Sequence, residues 1–143
     1  DQLKVEGLFD FYNSSIGHMV SCNYYPELNP SNSEALRLSK HVDASLFTVF
    51  VFGIDKGFSF QDCKNEKQAL FSKDNIVVFP GYLLELLSNG KYKALEHQVD
   101  FLDANKERFS FAFFSLPKPN QKLRFQNLEF TSEWYFQKYL ALF

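Results

Sequence analysis

The sequence predicts an all-β core closed as a jelly-roll barrel with flanking helices. Short apolar and β-branched runs recur through the middle of the chain, separated by Gly, Pro, Asn and Ser turn signals, which is the pattern of a sandwich or barrel. Clear helical patterns occur near the two ends. The 143 residues suffice for one domain with a sizeable core. Apolar residues at 45% and charged residues at 22% are ordinary for a globular protein, whereas 18 Phe point to a thick core or an aromatic-lined pocket.

Taken in order, Leu3, Val5, Leu8, Phe9 and Tyr12 suit the end of a preceding helix, stopped by Asn13-Ser14-Ser15 and Gly17. Residues 18–25 alternate loosely and form a strand halted by Pro26. Residues 26–33 hold two Pro, two Asn and two Ser and form a loop. Residues 46–52 are a continuous β-branched and aromatic run, expected as a strand buried on both faces. Residues 58–61 are a short strand, residues 62–74 are polar and ambiguous, and residues 76–79 are a second buried strand ended by Pro80-Gly81. Residues 83–87 fit helix or strand equally, and Ser88-Asn89-Gly90 is a turn. Residues 92–99 and 108–114 are strands joined by a polar loop at 103–107. Pro117 and Pro119 break the pattern, and Thr131 is placed to cap a final helix from about Ser132 to Leu142. The expected organisation is one unit, with a helix end at 1–17, the barrel at 18–116 and a helix at 131–143.

Composition also excludes. Net charge is −2 with no basic run, so nucleic acid is not an expected partner. No apolar run approaches the ~20 residues of a membrane span, and no signal peptide is visible, although the chain starts at Asp1 without Met. Cys22 and Cys63 lie in no CxxC or Cys/His zinc spacing and suit two free thiols in a reducing cytoplasm. Asn13-Ser14-Ser15 fits a glycosylation sequon, but nothing else suggests secretion. Oligomeric state is not legible.

The chemistry lies in His41, Asp43 and His97, followed by Arg108 and Ser110. In an extended segment residues i and i+2 share a face, so His41 and Asp43 can reach one ion while Val42 turns away. His97, in another strand, supplies a third donor. Two imidazoles and one carboxylate are the ligand set of non-haem Fe(II) with open positions; zinc accepts the same donors. Against this, a single His-x-Asp pair arises readily by chance, and a lone histidine is more often structural. His18, without an acidic neighbour within two residues, is taken as structural. Arg108 and Ser110 share the inward face of their strand, leaving Phe109, Phe111 and Phe113 for packing on the other side. A buried guanidinium needs a charged partner. A bound carboxylate would form a bidentate pair with Arg108 and accept from Ser110; an ion pair with Glu85 or Glu96 is the structural alternative.

Several segments carry a resemblance: Asn23-Tyr24-Tyr25-Pro26, then Lys40 to Thr48 around His41-Val42-Asp43, then Leu86 to Lys93 running into Glu96-His97, and Arg108-Phe109-Ser110. In order and spacing, residues 23–114 resemble the carboxy-terminal catalytic core of the Fe(II)/2-oxoglutarate-dependent dioxygenases, most closely their isopenicillin N synthase-like branch. The resemblance implies a double-stranded β-helix with iron held by His41, Asp43 and His97. It implies 2-oxoglutarate chelating that iron, its far carboxylate paired with Arg108 and Ser110 and hydrogen-bonded by Tyr25, with Asn23 as a further contact. Phe114 falls where the family often lines the substrate pocket. O2 is the second cosubstrate. The implied reaction is oxidative decarboxylation of 2-oxoglutarate to succinate and CO2, coupled to hydroxylation, desaturation or ring closure of a small organic substrate.

The chain departs from the family pattern at Gly57-Phe58-Ser59 and Gly81-Tyr82, and the gap between His97 and Arg108 is one residue longer than the family's. None of these is expected to touch an implied ligand. Relatives carry a substantial region before this core, so an amino-terminal part is expected to be missing. Two other readings remain: an Fe(II) oxidase of the same fold that uses no 2-oxoglutarate, as in isopenicillin N synthase and aminocyclopropane-carboxylate oxidase, and a non-catalytic binding module.

Overall fold

Among the described residues, alternating side chains sort ten short strands into two facing sheets and a hairpin. The computed structural model describes residues 17–27, 36–54, 57–62, 64, 66–70, 72–100 and 106–141. The strands are β1 (Met19–Tyr25), β2 (Leu38–His41), β3 (Phe47–Phe50), β4 (Phe58–Gln61), β5 (Lys67–Ala69), β6 (Val77–Pro80), β7 (His97–Val99), β8 (Arg108–Ser115), β9 (Lys122–Phe125) and β10 (Leu128–Thr131). The helices are α1 (Tyr82–Leu87) and α2 (Ser132–Leu140). One antiparallel sheet runs β1-β8-β3-β6, the other β2-β7-β4-β5, and β9 pairs with β10. Sequence neighbours are mostly not sheet neighbours, because the chain crosses between sheets as a jelly-roll does. The expected barrel is thus present.

The two sheets meet over Phe50, Ile54, Phe58, Phe79 and Ala112, all buried. Phe50 and Phe58 face each other across the sheets with ring centroids 6.0 Å apart. A second cluster of Leu46, Leu83, Leu84, Leu123 and Tyr135 lies where α1, α2 and the β9–β10 hairpin pack beside the barrel. Each fully buried Leu there contributes roughly 1.5–3 kcal/mol.

The ambiguous run at 83–87 is helical because its carboxy end is closed by a Schellman turn. Asn89 takes a positive φ of 54°, the Asn89 N–H donates to Leu86 O at 3.0 Å, and the Gly90 N–H donates to Glu85 O at 2.8 Å. The final helix starts where expected: Thr131 Oγ1 accepts from the Trp134 N–H at 3.2 Å.

Several expectations need correction. The run 46–52 is not buried throughout: β3 ends at Phe50, and Val51 and Phe52 form an exposed turn. The run 76–79 buries only Phe79, since β6 is an edge strand with Ile76 and Val78 facing solvent. Only residues 97–99 of the run 92–99 are strand. Phe109 and Phe111 face outward as parity requires, but they are exposed, stacking on Tyr24 and Phe52 rather than packing into a core. β5 and the β9–β10 hairpin, three and four residues long per strand, lie outside the expected strands because such short runs stand out little from loops. The helix at 1–12, the sequon, Cys63 and most of the loops at 26–33 and 103–107 lie outside the described residues.

Candidate metal and anion site

Strand β2 ends at His41, directly opposite His97 at the start of β7. Their rings stand 4.4 Å apart. Asp43 lies two residues past the end of β2, in the irregular segment that leads to β3. The donor atoms of His41 and Asp43 come within 3.6 Å of each other, and backbone contacts hold Asp43 past the end of the strand. Its carbonyl accepts from the Tyr82 N–H at 2.7 Å, and Ser45 O accepts from the Leu83 N–H at 3.2 Å. The start of α1 thus fixes this loop, and Tyr82 and Phe58, expected to lie clear of the implied ligands, touch Asp43 and His97. Gly81 makes the approach possible, since a Cβ there would stand 2.2 Å from Ser45 O and 2.9 Å from Asp43 O.

Two tyrosines of α2 hold the same loop from the other side. The Tyr139 hydroxyl donates to Val42 O, and the Tyr135 hydroxyl donates to Ala44 O at 2.8 Å. At i and i+4 they share one helix face, and they grip carbonyls on either side of Asp43. Burial and the neighbouring Asp43 carboxylate push the Tyr139 hydroxyl up to about 12. Burial, reinforced by Tyr139 and Tyr82, raises Tyr135 further.

The three side chains converge. One donor atom from each of His41, Asp43 and His97 lies within 4.8 Å of the others. Asp43 Oδ1 is 3.6 Å from His41 Nε2 and 3.8 Å from His97 Nε2. Each imidazole uses Nδ1 for a backbone carbonyl: Ser39 O at 2.7 Å for His41 and Leu95 O at 2.9 Å for His97. A carbonyl only accepts, so Nδ1 carries the proton and Nε2 presents its lone pair to the centre. The second oxygen of Asp43 accepts from Thr48 Oγ1 at 2.5 Å, and Thr48 is linked to Ser45 Oγ at 2.9 Å. Such outer hydrogen bonds fix the orientation of metal ligands. His97 is buried between Phe58, 5.0 Å away, and Phe79, 5.2 Å away. That burial holds its pKa below the ordinary histidine value, which keeps the ring neutral and able to ligate. The donor set fits a divalent transition metal.

The other half of the site is laid out by a regular ladder. In the β1–β8 register Asn23 opposes Ser110 and Tyr25 opposes Arg108. Asn23 Nδ2 donates to Ser110 Oγ at 3.4 Å, and the Arg108 guanidinium sits over the Tyr25 ring at 4.6 Å. Arg108 and Ser110 are buried, as their inward parity requires. The suggested ion-pair partners are engaged elsewhere: Glu85 pairs with Lys93 and Glu96 with Lys40, both at 2.8 Å. One cavity is bounded by His41, Asp43 and His97 on one side and by Asn23, Tyr25, Arg108 and Ser110 on the other, with Phe114 on its wall. His18 stands apart, its ring 5.2 Å from Phe113. Thr48, Gly81, Tyr135 and Tyr139 were not singled out from sequence. The i, i+4 tyrosine spacing was visible, but its target was not.

A jelly-roll barrel that gathers two neutral imidazoles and a carboxylate beside a buried arginine defines the class of metal-dependent barrel proteins that can bind a small anion next to the ion. The comparisons sharpen the class. The family model of the 2OG-Fe(II) oxygenase superfamily matches residues 16–117, and the chain belongs to that family. Jasmonate-induced oxygenase 2 of Arabidopsis thaliana is 34% identical over 110 residues, which cover 76% of this chain and 29% of that protein. Scopoletin 8-hydroxylase of the same plant is 33% identical over 106 residues, covering 73% and 29%. The crystal structure of JOX2 in complex with 2OG, Fe and JA superposes with a TM-score of 0.74 at 25% identity, covering 90% of this chain and 41% of that one. The chain therefore spans under a third of the length of these curated relatives. Among the described residues no helix is long and apolar enough to cross a membrane.

Proposed function

We propose that this chain is the catalytic core of an Fe(II)- and 2-oxoglutarate-dependent dioxygenase, with His41, Asp43 and His97 as the iron ligands. The observation that carries the proposal is the pairing of three converging donors with Arg108 and Ser110 around one cavity. The bound iron and 2-oxoglutarate would supply the oxidising chemistry, with succinate and CO2 as by-products. The chain's own residues do the rest. The Nδ1 hydrogen bonds to Ser39 and Leu95 fix which nitrogen of each imidazole ligates. Thr48 leaves one Asp43 oxygen for the metal. Arg108 and Ser110 anchor the far carboxylate of 2-oxoglutarate, a charge-assisted contact strengthened by burial. Tyr25 and Asn23 border that anchor from β1. The cavity beside His41, Asp43 and His97 would admit the cosubstrate and O2 to a metal held there.

The organic substrate is a small molecule, as the name of scopoletin 8-hydroxylase suggests for a relative. Hydroxylation, desaturation and ring closure all fall within the reading. The described strands β1 to β8 form the barrel of this core and α2 its supporting helix. A cytoplasmic location accords with the free thiol of Cys22. The test is iron-loaded full chain screened against small organic substrates, with O2 uptake and succinate followed together. Succinate formed in step with product is expected. Turnover without 2-oxoglutarate consumption would replace this reading with the oxidase alternative.

A further inference from the structure

A one-residue irregularity in β2 decides which way His41 points. Leu38 opposes Val99 of β7 and His41 opposes His97, so three steps along β2 match two along β7. In an even ladder counted from Leu38 and Val99, Lys40 would stand opposite His97, and His41 opposite Glu96. Opposed residues share a face, and a slip of one residue turns every side chain over. His97 is buried inside the barrel, so an even ladder would send Lys40 inward and His41 outward. The bulge at Ser39 and Lys40 reverses this and puts both imidazoles on the inner face. It also leaves the Ser39 carbonyl beside His41, whose Nδ1 donates to it at 2.7 Å.

An inserted residue interrupts the ladder locally, so the bulge needs support from side chains. Lys40 supplies it by reaching from β2 over the start of β7 to β4. Its ammonium donates to Glu96 Oε2 at 2.8 Å and to Gln61 Oε1 at 2.9 Å. Glu96 directly precedes His97, and Gln61 directly follows Phe60, which opposes His97 from β4. Alternation therefore places Lys40, Glu96 and Gln61 on the outer face, directly behind the inward row of His41, His97 and Phe60. The Gln61 N–H also donates to Glu96 O at 3.1 Å, so the two acceptors are tied to each other. We infer that Lys40 is a positioning residue for the metal site: from the outer face it fastens the bulge that turns His41 inward with its Nδ1 on Ser39. The inference rests on the reading of His41 as a metal ligand and adds the group that fixes its direction.

The test compares the full chain with three variants. Lys40→Met keeps the stem and removes the ammonium, and Lys40→Arg restores a cation. Lys67→Met removes a lysine paired with Asp100 at 2.8 Å, on β5 at the opposite edge of the same sheet. Side-chain nitrogen–proton correlation spectra of the metal-free chains, at about pH 8 where imidazoles are neutral, show which ring nitrogen carries the proton. Co(II) affinity is measured by competition with a chelator, and the visible cobalt bands report the ligand set independently of catalysis. In Lys40→Met, His41 should populate the Nε2–H form beside the Nδ1–H form, while His97 keeps its Nδ1–H on Leu95 O. Cobalt affinity should fall about fivefold, the order of one exposed ion pair, with altered cobalt bands. Lys40→Arg should return both readouts to within about twofold of the parent, and Lys67→Met should move neither. Parent-like His41 and cobalt affinity in Lys40→Met overturn the inference. So do a fall in affinity without a change at His41, and equal changes in Lys67→Met. Absence of cobalt binding by the parent chain would instead overturn the metal-site reading, and the His41 proton position in metal-free Lys40→Met would still decide whether Lys40 holds the bulge.

Discussion

The two ends of the site are built by different means. Arg108 and Ser110 stand on a strand of eight residues whose partner β1 is in register along its whole length. Their direction follows from the pleat alone. His41 and Asp43 stand where a strand of four residues stops. Asp43 is held by the Tyr82 amide at its carbonyl, by Thr48 at its carboxylate, and by two distant tyrosine hydroxyls at the flanking carbonyls. A regular ladder positions a residue with local information. An irregular loop needs contacts from elements far away in sequence. The comparison teaches that the anion end should tolerate changes around it, and that the metal end should respond to changes well outside the ligand set.

The largest effect should come from a ligand itself. Asp43→Ala should weaken Co(II) or Fe(II) binding by more than about 100-fold, beyond the range of supporting residues. Titration monitored by absorbance checks this, and unchanged affinity would remove Asp43 from the metal site. At the other end, Arg108→Ala should cost 2-oxoglutarate about 2 kcal/mol or more of binding, roughly 30-fold, with metal affinity intact. Arg108→Lys should recover only part, since the ammonium lacks the bidentate fork. Calorimetry on metal-loaded protein separates the two, and a joint loss of metal and 2-oxoglutarate would break the proposed independence of the two ends.

Smaller effects sharpen the contrast. Thr48→Val keeps the shape and removes the hydroxyl that occupies one Asp43 oxygen. Metal affinity should fall by roughly 10- to 100-fold, measured by competition with a chelator. Tyr139→Phe removes the donor to Val42 O, and unfolding by denaturant should show a loss of about 1 kcal/mol. The same tyrosine gives a pH signature. Its pKa is raised to about 12 in the fold, against about 10 in an unfolded chain. The stability it contributes is complete below pH 10 and is lost as pH rises toward 12. Denaturation curves across that window should fall less steeply in Tyr139→Phe than in the parent.

Much of this was legible in the sequence, and the limits have physical causes. The inward placement of Arg108 and Ser110 follows from a period of two. The register of Asn23 and Tyr25 opposite them does not, because strand pairing is a long-range property. The candidate ligands follow from residue chemistry, whereas the contacts that hold Asp43 do not, because most come from Tyr82, Tyr135 and Tyr139, far along the chain. Exposed Phe109 and Phe111 misled because outward parity says nothing about what covers a face. The β9–β10 hairpin does carry a strand alternation, in Lys122-Leu123-Arg124-Phe125 and Leu128-Glu129-Phe130, but in runs too short to stand out.

The grip of α2 on the loop of Asp43 also sets an order of events during synthesis. Tyr135 lies 91 residues after Ala44, and Tyr139 97 residues after Val42. At usual translation speeds the ligand loop waits roughly 5–20 s for its last two hydrogen-bond donors. Until they emerge, His41 and Asp43 are tied to a loop without its full support. The metal centre is therefore completed from the far end of the described chain, and iron should be captured tightly only once α2 has docked.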